Sequence, residues 1–144
     1  MARYVTTVRT PMSPEESFAY MADLRHFAEW DPGVKKVVQV EGDGGGQSSE
    51  FDVTVTGTTL RYRTLLHRPP EELVVVARSR TLSSTDKVSV RPDGDGSLVT
   101  YDAVLELNGP LRLLDPVMKL VFGRIGDRAA AGLRTALGGV DVPS

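Results

Sequence analysis

The stretch from Asp115 to Leu137 constrains the fold of this 144-residue chain more than any other part of the sequence. Apolar residues recur along it at the three-to-four spacing of a helix that is buried on one side. Asp115 predicts an N-cap, and Pro116 suits the first helical position because its missing N–H would be unpaired there anyway. Gly138, directly after the stretch, favours a left-handed C-cap. At about 1.5 Å per residue the helix is roughly 33 Å long, enough to cross a small domain.

The segment between residues 34 and 107 follows a different pattern, in which apolar and polar residues alternate over short runs separated by Gly, Pro and Asp. Such alternation between turn residues predicts β-strands. The predicted strands of this segment are residues 34–41, 49–56, 59–67, 73–80, 85–91 and 98–107. A further strand is predicted at 3–10, and Ser13 and Asp23 cap two predicted short helices, the second of which spans 24–29.

This order of elements predicts an α+β architecture: a strand, two short helices, a six-stranded antiparallel meander and one long C-terminal helix. A meander joined by short turns buries one face of its sheet and leaves the other in water. The buried face needs a cover, and only the last helix is long enough to provide one. We therefore expect the sheet to curve around this helix, which packs through its Val121, Ile125 and Leu133 side. The chain length suits a single domain spanning residues 1–144.

Charge and composition exclude several classes of function. The net charge of −2 argues against nucleic-acid binding, which needs a basic surface. Residues 1–10 contain no apolar signal-peptide core. No run of about 18 apolar residues predicts a membrane span, so we expect no stable membrane insertion. Together with the absence of cysteine, these features favour a cytoplasmic protein.

The sequence offers little for a metal ion or a cofactor. A metal site needs several ligands that converge, and the two histidines, His26 and His67, lie on different predicted elements. Strand alternation also places His67 on the polar face, where we expect it to be exposed. The loop 42–46 is rich in glycine, but it opens a strand, whereas a phosphate-binding loop opens a helix. We therefore predict neither a metal nor a cofactor.

Four short motifs together resemble one protein family. They are residues 14–18 (Pro-Glu-Glu-Ser-Phe) leading to Asp23, residues 29–34 (Glu-Trp-Asp-Pro-Gly-Val), residues 93–97 (Asp-Gly-Asp-Gly-Ser) and residues 113–116 (Leu-Leu-Asp-Pro). With these motifs, nearly the whole chain resembles the START-like (SRPBCC) superfamily, and within it the bacterial polyketide cyclase/dehydrase and lipid-transport group. The resemblance implies the helix-grip fold, with a deep cavity between the curved sheet and the last helix. It also implies that this cavity holds apolar or amphipathic small molecules.

Polar residues on the apolar face of the predicted sheet are the main candidates for a site. Strand alternation places Tyr62, Thr64, Asp86 and Tyr101 on that face, where buried polar groups need partners. The two tyrosines can equally be ordinary core residues with satisfied hydroxyls. For Asp86, its place at the predicted start of a strand favours a frayed strand end over a ligand contact.

Further candidates lie around the same face. Arg78 shares strand parity with Val74 and Val76, so it either points inward toward an anionic ligand head or lies on the solvated face. Trp30 ends the second predicted helix, where a core role competes with ligand stacking. Asp31 precedes proline, which predicts a turn rather than a catalytic carboxylate. The predicted ligand-binding residues are Trp30, Phe51, Tyr62, Thr64, Arg78, Asp86, Tyr101, Val121 and Ile125.

Two main hypotheses of different class follow for the function. The first is a non-catalytic protein that binds or carries a hydrophobic small molecule such as a lipid, polyketide or isoprenoid. The alternative is a polyketide cyclase or dehydratase that uses tyrosines and a carboxylate of the cavity for acid/base catalysis. Such an enzyme needs a convergent acid/base set, and the sequence offers only Tyr62, Tyr101 and Asp86, which favours binding. A third hypothesis is a partner-binding module with a filled core, and the sequence leaves homodimer formation and ligand identity open.

Overall fold

The computed structural model describes residues 1–55 and 57–141, so the predicted strand end at Thr56 lies outside the described residues. These residues form a single antiparallel sheet in the order β2-β3-β4-β5-β6-β7-β1-β8. The strands are β1 (Ala2–Thr10), β2 (Val34–Glu41), β3 (Glu50–Val55), β4 (Thr58–Arg68), β5 (Glu72–Arg78), β6 (Leu82–Asp93), β7 (Gly96–Leu107) and β8 (Val140–Asp141). The predicted first strand and six-stranded meander are confirmed, and the short β8, which pairs with β1, is an addition.

The helices also follow the predicted order. They are α1 (Pro14–Ala22), a 3-10 turn (Leu24–His26), α2 (Phe27–Trp30), a 3-10 helix (Gly109–Leu114) and α3 (Asp115–Leu137). Ser13 is the predicted N-cap, because its hydroxyl accepts the Glu16 backbone N–H at 3.1 Å. The Glu16 carboxylate reaches back as predicted, but it accepts the Ser13 hydroxyl at 3.0 Å instead of the backbone N–H of a complete capping box. Within the described residues, no helix is long and apolar enough to cross a bilayer.

The long helix α3 has the predicted length but begins differently. Leu114 rather than Asp115 is its N-cap, because the preceding 3-10 helix brings the chain into α3 already coiled. The Asp115 carboxylate instead pairs with the N-terminal ammonium of Met1 at 2.7 Å. Gly138 ends the helix with φ of 62°, which confirms the left-handed C-cap.

The side of α3 that packs against β1 and α2 is a stripe of mostly small residues. Its buried residues are Gly126, Ala129, Ala130, Leu133 and Leu137. A Cβ added to Gly126 would overlap the Tyr4 ring, and one added to Gly132 would overlap the Trp30 carbonyl oxygen. The small residues therefore let the helix approach both elements closely, and this approach sets its rotation.

That rotation corrects part of the predicted packing. Leu133 is fully buried as expected, but Val121 is 42% exposed and Ile125 is 43% exposed. Both lie at the edge of the buried stripe because the small residues, and not the larger ones, occupy its centre. Other large apolar side chains around the start of α3 are exposed as well, namely Leu113, Leu114, Val117 and Leu120.

The structure decides one strand orientation that the sequence left open, that of Arg78, and corrects another, that of His67. In β5 five apolar residues follow one another, so alternation could not show which face is buried. Leu73, Val75 and Ala77 point into the core, and Arg78 is therefore exposed on the outer face. In β4 the pairing with β5 shifts by one residue between Thr64 and Leu66. This shift brings His67 partly buried against Phe18, at 5.3 Å between ring centroids, rather than out into solvent.

Candidate functional site

A small cavity of about 50 Å³ lies between α3, the start of the α2–β2 connection, β1 and β7. Most of its lining is apolar, and its polar groups come from a few convergent side chains. The lining residues are Tyr4, Thr6, Trp30, Asp31, Tyr101, Ala103, Phe122, Ile125, Gly126, Ala129, Ala130 and Leu133. An apolar cavity with a few placed polar groups is the usual form of a small-molecule site.

Behind Tyr101 lies a buried chain of hydrogen bonds that ends on one carboxyl group. The Tyr101 hydroxyl donates to Asp86 Oδ2, and the Ser84 hydroxyl donates to Asp86 Oδ1 at 3.3 Å. The Tyr62 hydroxyl donates to Ser84 at 3.0 Å. All three donors are thus directed toward Asp86, which accepts from two of them.

Strand register explains why these side chains meet. Tyr62 on β4 is opposite Ala77 on β5, and Ala77 is opposite Ser84 on β6. The small Ala77 side chain leaves room for the phenol to pass over β5 and reach Ser84. On the next strand pair, Tyr101 is opposite Val88, two residues from Asp86 on the same face. A long side chain can reach such a diagonal neighbour.

The position of Asp86 corrects the expectation of a frayed strand end. Leu82 begins β6, so Asp86 lies inside the strand, and its side chain is buried. Burial raises the pKa of this carboxyl to about 6, although the hydrogen bonds from Tyr101 and Ser84 act in the opposite direction. Burial also raises the pKa of both phenols, so Tyr62 and Tyr101 remain protonated donors at neutral pH.

Asp31 has the predicted turn role and also faces the cavity. Its Oδ1 accepts the Gly33 backbone N–H at 2.9 Å, which closes the turn after α2. Burial raises the pKa of its carboxyl, and the Gly33 hydrogen bond partly offsets this. Its negative charge also contributes to the raised pKa of Asp86. The cavity is therefore influenced by two carboxyl groups.

Aromatic rings form the wall beside Asp31. Trp30 packs edge-on against Tyr101, with 5.3 Å between ring centroids, and against Phe27 at 5.0 Å. The Trp30 side chain is buried, and its Nε1 has no hydrogen-bond partner among the described residues. The same holds for the Thr64 hydroxyl. Buried polar atoms without partners are rare in native proteins.

The structure separates the nine predicted site residues into groups. Trp30, Tyr101 and Ile125 line the cavity, and Asp86 and Tyr62 lie behind it in the hydrogen-bond chain. Phe51, Thr64, Val121 and Arg78 do not line the cavity. Phe51 and Thr64 are buried, Val121 lies one turn from Ile125 on α3, and Arg78 is on the outer face. A ligand-binding role for any of them stays a prediction.

Sequence patterns missed several residues of the cavity and one residue of the hydrogen-bonded group behind it. The predicted start of β6 at residue 85 left out Ser84, although it lies two residues from Asp86 and therefore shares its face. Tyr4 and Thr6 lie on the same face of β1 as the buried residues Ala2 and Val8. The alternation of residues along β1 could therefore have identified both as inward-facing. The small residues of α3, such as Gly126 and Gly132, indicated room beside the helix, but the sequence did not show whether a neighbouring element or a cavity occupies it.

Two further features bear on where a ligand or a metal ion could bind. An open groove of about 510 Å³ beside α1 is lined by Glu15, Phe18, Ala19, Ala22, Gly45, His67, Pro69 and Pro70. Because it is open to solvent, it would leave much of a ligand in water, unlike typical small-molecule sites. Among the described residues, no group of three or more His, Cys, Asp or Glu side chains could hold a metal ion.

The fold is that of START-like proteins. A START superfamily protein from Mycobacterium smegmatis aligns over 96% of this chain and 98% of its own, with a TM-score of 0.70 and 20% identity. The protein XoxI from Bacillus cereus aligns over 95% and 96%, with a TM-score of 0.71 and 16% identity. The di-domain ARO/CYC StfQ of the steffimycin biosynthetic pathway aligns over 95% of this chain and 52% of its own, with a TM-score of 0.62 and 13% identity.

Sequence comparison assigns the family. A family model described as polyketide cyclase / dehydrase and lipid transport matches residues 1–138, so the chain belongs to this family. This confirms the resemblance seen in the motifs. Among curated proteins, no sequence matches the chain. Family and fold together define a START-like, polyketide-cyclase-like domain of a hydrophobic-ligand-binding type.

Proposed function

We propose that the protein binds an amphipathic small molecule, such as a lipid, polyketide or isoprenoid, between the sheet and α3. The polar end enters the cavity beside Tyr101, and the apolar body lies at the cavity mouth along α3. The observation that carries this proposal is the contrast between a mostly apolar lining and the buried polar chain that ends on Asp86. Apolar walls supply affinity in such sites, and a few polar groups fix orientation.

The space around α3 fits this arrangement. The cavity of about 50 Å³ is far below the roughly 300–1,000 Å³ of common ligand sites, so it holds only the end of a ligand. Ile125 lines the cavity and is also 43% exposed, and Val121 follows on the same face one turn earlier. A ligand body that covers these two side chains would remove apolar surface from water.

A direct experiment is titration with Nile red, a neutral dye whose fluorescence rises in apolar surroundings. We expect about one dye per chain. The Ala129→Leu variant fills the cavity and should weaken dye binding by about 10-fold or more, because the site loses the space that the ligand end occupies. Ala131→Leu is the matched control, since Ala131 is exposed on the same helix. Equal dye affinities for the two variants would contradict a site between α3 and the sheet.

A second experiment is native mass spectrometry of freshly purified protein, which should reveal a retained ligand.

The series of hydrogen bonds that links Tyr62, Ser84 and Tyr101 to Asp86 favours one alternative function, an enzyme of the cyclase or dehydratase type. Hydrogen bonds join the two tyrosine hydroxyls, through Ser84 in the case of Tyr62, to the Asp86 carboxyl. Such a convergent set of groups is what acid/base catalysis would need. When Asp86 is protonated, its O–H can donate to the Tyr101 oxygen, and the Tyr101 O–H is then free to polarise a substrate carbonyl. A carboxyl with a pKa of about 6 can exchange a proton near neutral pH, as general acid/base catalysis requires.

The Tyr101→Phe variant separates the two functions. In a binding protein the lost hydrogen bond is worth about 0.5–1.5 kcal/mol, so ligand affinity should fall roughly 2- to 13-fold. In an enzyme, turnover of a polyketide mimic should fall about 100-fold or more with substrate affinity nearly intact. Tyr62→Phe is the comparison, because Tyr62 reaches Asp86 only through Ser84 and does not line the cavity. A large turnover loss in Tyr101→Phe alone would establish the enzyme, and no change in either quantity would remove Tyr101 from the site.

A further inference from the structure

Two polar groups at the cavity, the Tyr101 phenol and the Asp31 carboxyl, offer a ligand hydrogen-bond acceptors. The Tyr101 hydroxyl donates its proton to Asp86, so its oxygen presents only lone pairs to the cavity. Asp31 also lines the cavity, and an ionised carboxylate can only accept. The Tyr4 hydroxyl, which belongs to another lining residue, donates to Asp127 at 2.7 Å, so its proton is also engaged. Trp30 Nε1 is a donor without a partner among the described residues, and one uncharged oxygen on the ligand would satisfy it. A ligand whose polar end donates hydrogen bonds would therefore complement these acceptors.

The charges around the cavity point the same way. None of the cavity-lining residues in the described part of the chain is Lys, Arg or His. Several strand arginines pair with carboxylates on the outer surface, as in Arg3–Asp102 and Arg61–Asp52, both at 2.7 Å. No ion pair in the described residues involves Asp31 or Asp86, so the charge at the cavity is negative and uncompensated there.

A cation in the cavity would compensate this charge, whereas an anion would add to it. Burying a carboxylate without a positive partner is costly, and the raised pKa values of Asp31 and Asp86 reflect that cost. A positively charged group would stabilise both ionised carboxyls. The neighbouring rings of Trp30 and Tyr101 can add cation–π attraction if the group lies over a ring face.

Building on the proposed binding function, we propose that the polar end this site selects is a protonated amine, and that it rejects a carboxylate on the same apolar body. The amine supplies N–H donors to Asp31 and to the Tyr101 oxygen, and its positive charge offsets part of the negative charge of the two carboxyls. An alcohol of the same shape donates one hydrogen bond without charge, so its affinity falls between the other two.

The test is a series with one apolar body, 4-phenylbutylamine, 4-phenylbutan-1-ol and 4-phenylbutyrate, titrated by calorimetry at pH 7. We expect the amine to bind about 10-fold or more tightly than the carboxylate, as for a charge effect of one pKa unit or more. Asp31→Asn and Asp86→Asn should each reduce this ratio. Asp95→Asn, in the exposed β6–β7 turn, is the matched control and should leave the ratio unchanged.

The outcomes separate this inference from the proposed function. If Nile red binds but the carboxylate equals or exceeds the amine, the charge preference is refuted and the binding function stands. If Nile red binds but none of the three compounds does, amine recognition is likewise refuted. If neither the dye nor any of the compounds binds, both proposals fail. An amine preference that survives both Asp31→Asn and Asp86→Asn would refute the assignment to these carboxyls.

Discussion

Replacing the buried carboxyl of Asp86 by an amide should change how the stability of the protein depends on pH. Asp86→Asn keeps the size of the side chain and an oxygen that accepts from Tyr101, but it removes the ionisable group. The pKa of Asp86 rises from 3.8 to about 6 on folding. The native state therefore holds this proton more tightly than the unfolded chain does, which is the reverse of a salt-bridged aspartate.

The sign and size follow from linkage. Below pH 3.8 Asp86 is protonated in both states and contributes no difference. As the pH rises toward 6, the unfolded chain releases the proton first, and the native protein loses stability. Above the native pKa the loss levels off at about 3 kcal/mol, from a shift of about two pKa units. That is a large share of the roughly 5–15 kcal/mol that stabilises a typical domain.

The assay is urea denaturation of the wild-type protein and of Asp86→Asn between pH 4 and pH 7.5, without ligand. The free energy of unfolding of the variant, minus that of the wild type, should increase by about 2–3 kcal/mol over this range. Asp23 and Asp52 also have shifted pKa values, but they are present in both proteins and cancel in the difference. Asp31 is present in both proteins as well, and because its charge raises the pKa of Asp86, that coupling is part of the measured difference. Asp95→Asn controls for the loss of one exposed carboxyl. A difference that is flat or that decreases with pH would show that Asp86 is not held in its protonated form by burial.

Two further predictions concern α3. Leu133→Ala should lower the free energy of unfolding by about 2–5 kcal/mol, because Leu133 is fully buried. Leu120→Ala, at a residue that is 64% exposed, should change it by about 0.5 kcal/mol or less. Equal effects of the two variants in urea denaturation would mean that the helix is rotated differently. Gly123→Ala should raise the melting temperature through a gain of up to about 1 kcal/mol in helix propensity. Gly132→Ala should lower the melting temperature, because the new Cβ overlaps the backbone carbonyl oxygen of Trp30. Stabilisation by both substitutions would rule out the close approach of α3 to α2.

Local patterns in the sequence were sufficient for the elements and their order. The apolar spacing of residues 115–137, with proline at the start and glycine after the end, specified one long helix, and alternation specified the meander. These signals are local because each depends on residues within one or two turns of the chain. Alternation also placed Tyr62, Asp86 and Tyr101 on one face, where the structure has them. The cover over the sheet followed from the need to bury that face.

Only the tertiary structure decided which surfaces meet. The apolar run Leu73–Ala77 reads the same on both faces, so the direction of Arg78 depended on pairing with the neighbouring strands. The rotation of α3 was set by how closely Gly126 and Gly132 approach Tyr4 and Trp30, a contact between residues far apart in the chain. The hydrogen bonds that lead from Tyr62 to Asp86 likewise depend on long-range pairing, because they run from β4 across β5 to β6 and need the register of both strand pairs. The sequence thus determined which segments form helices and strands. Long-range packing determined which face of each element is buried, because a periodic pattern does not specify which partner each face will contact.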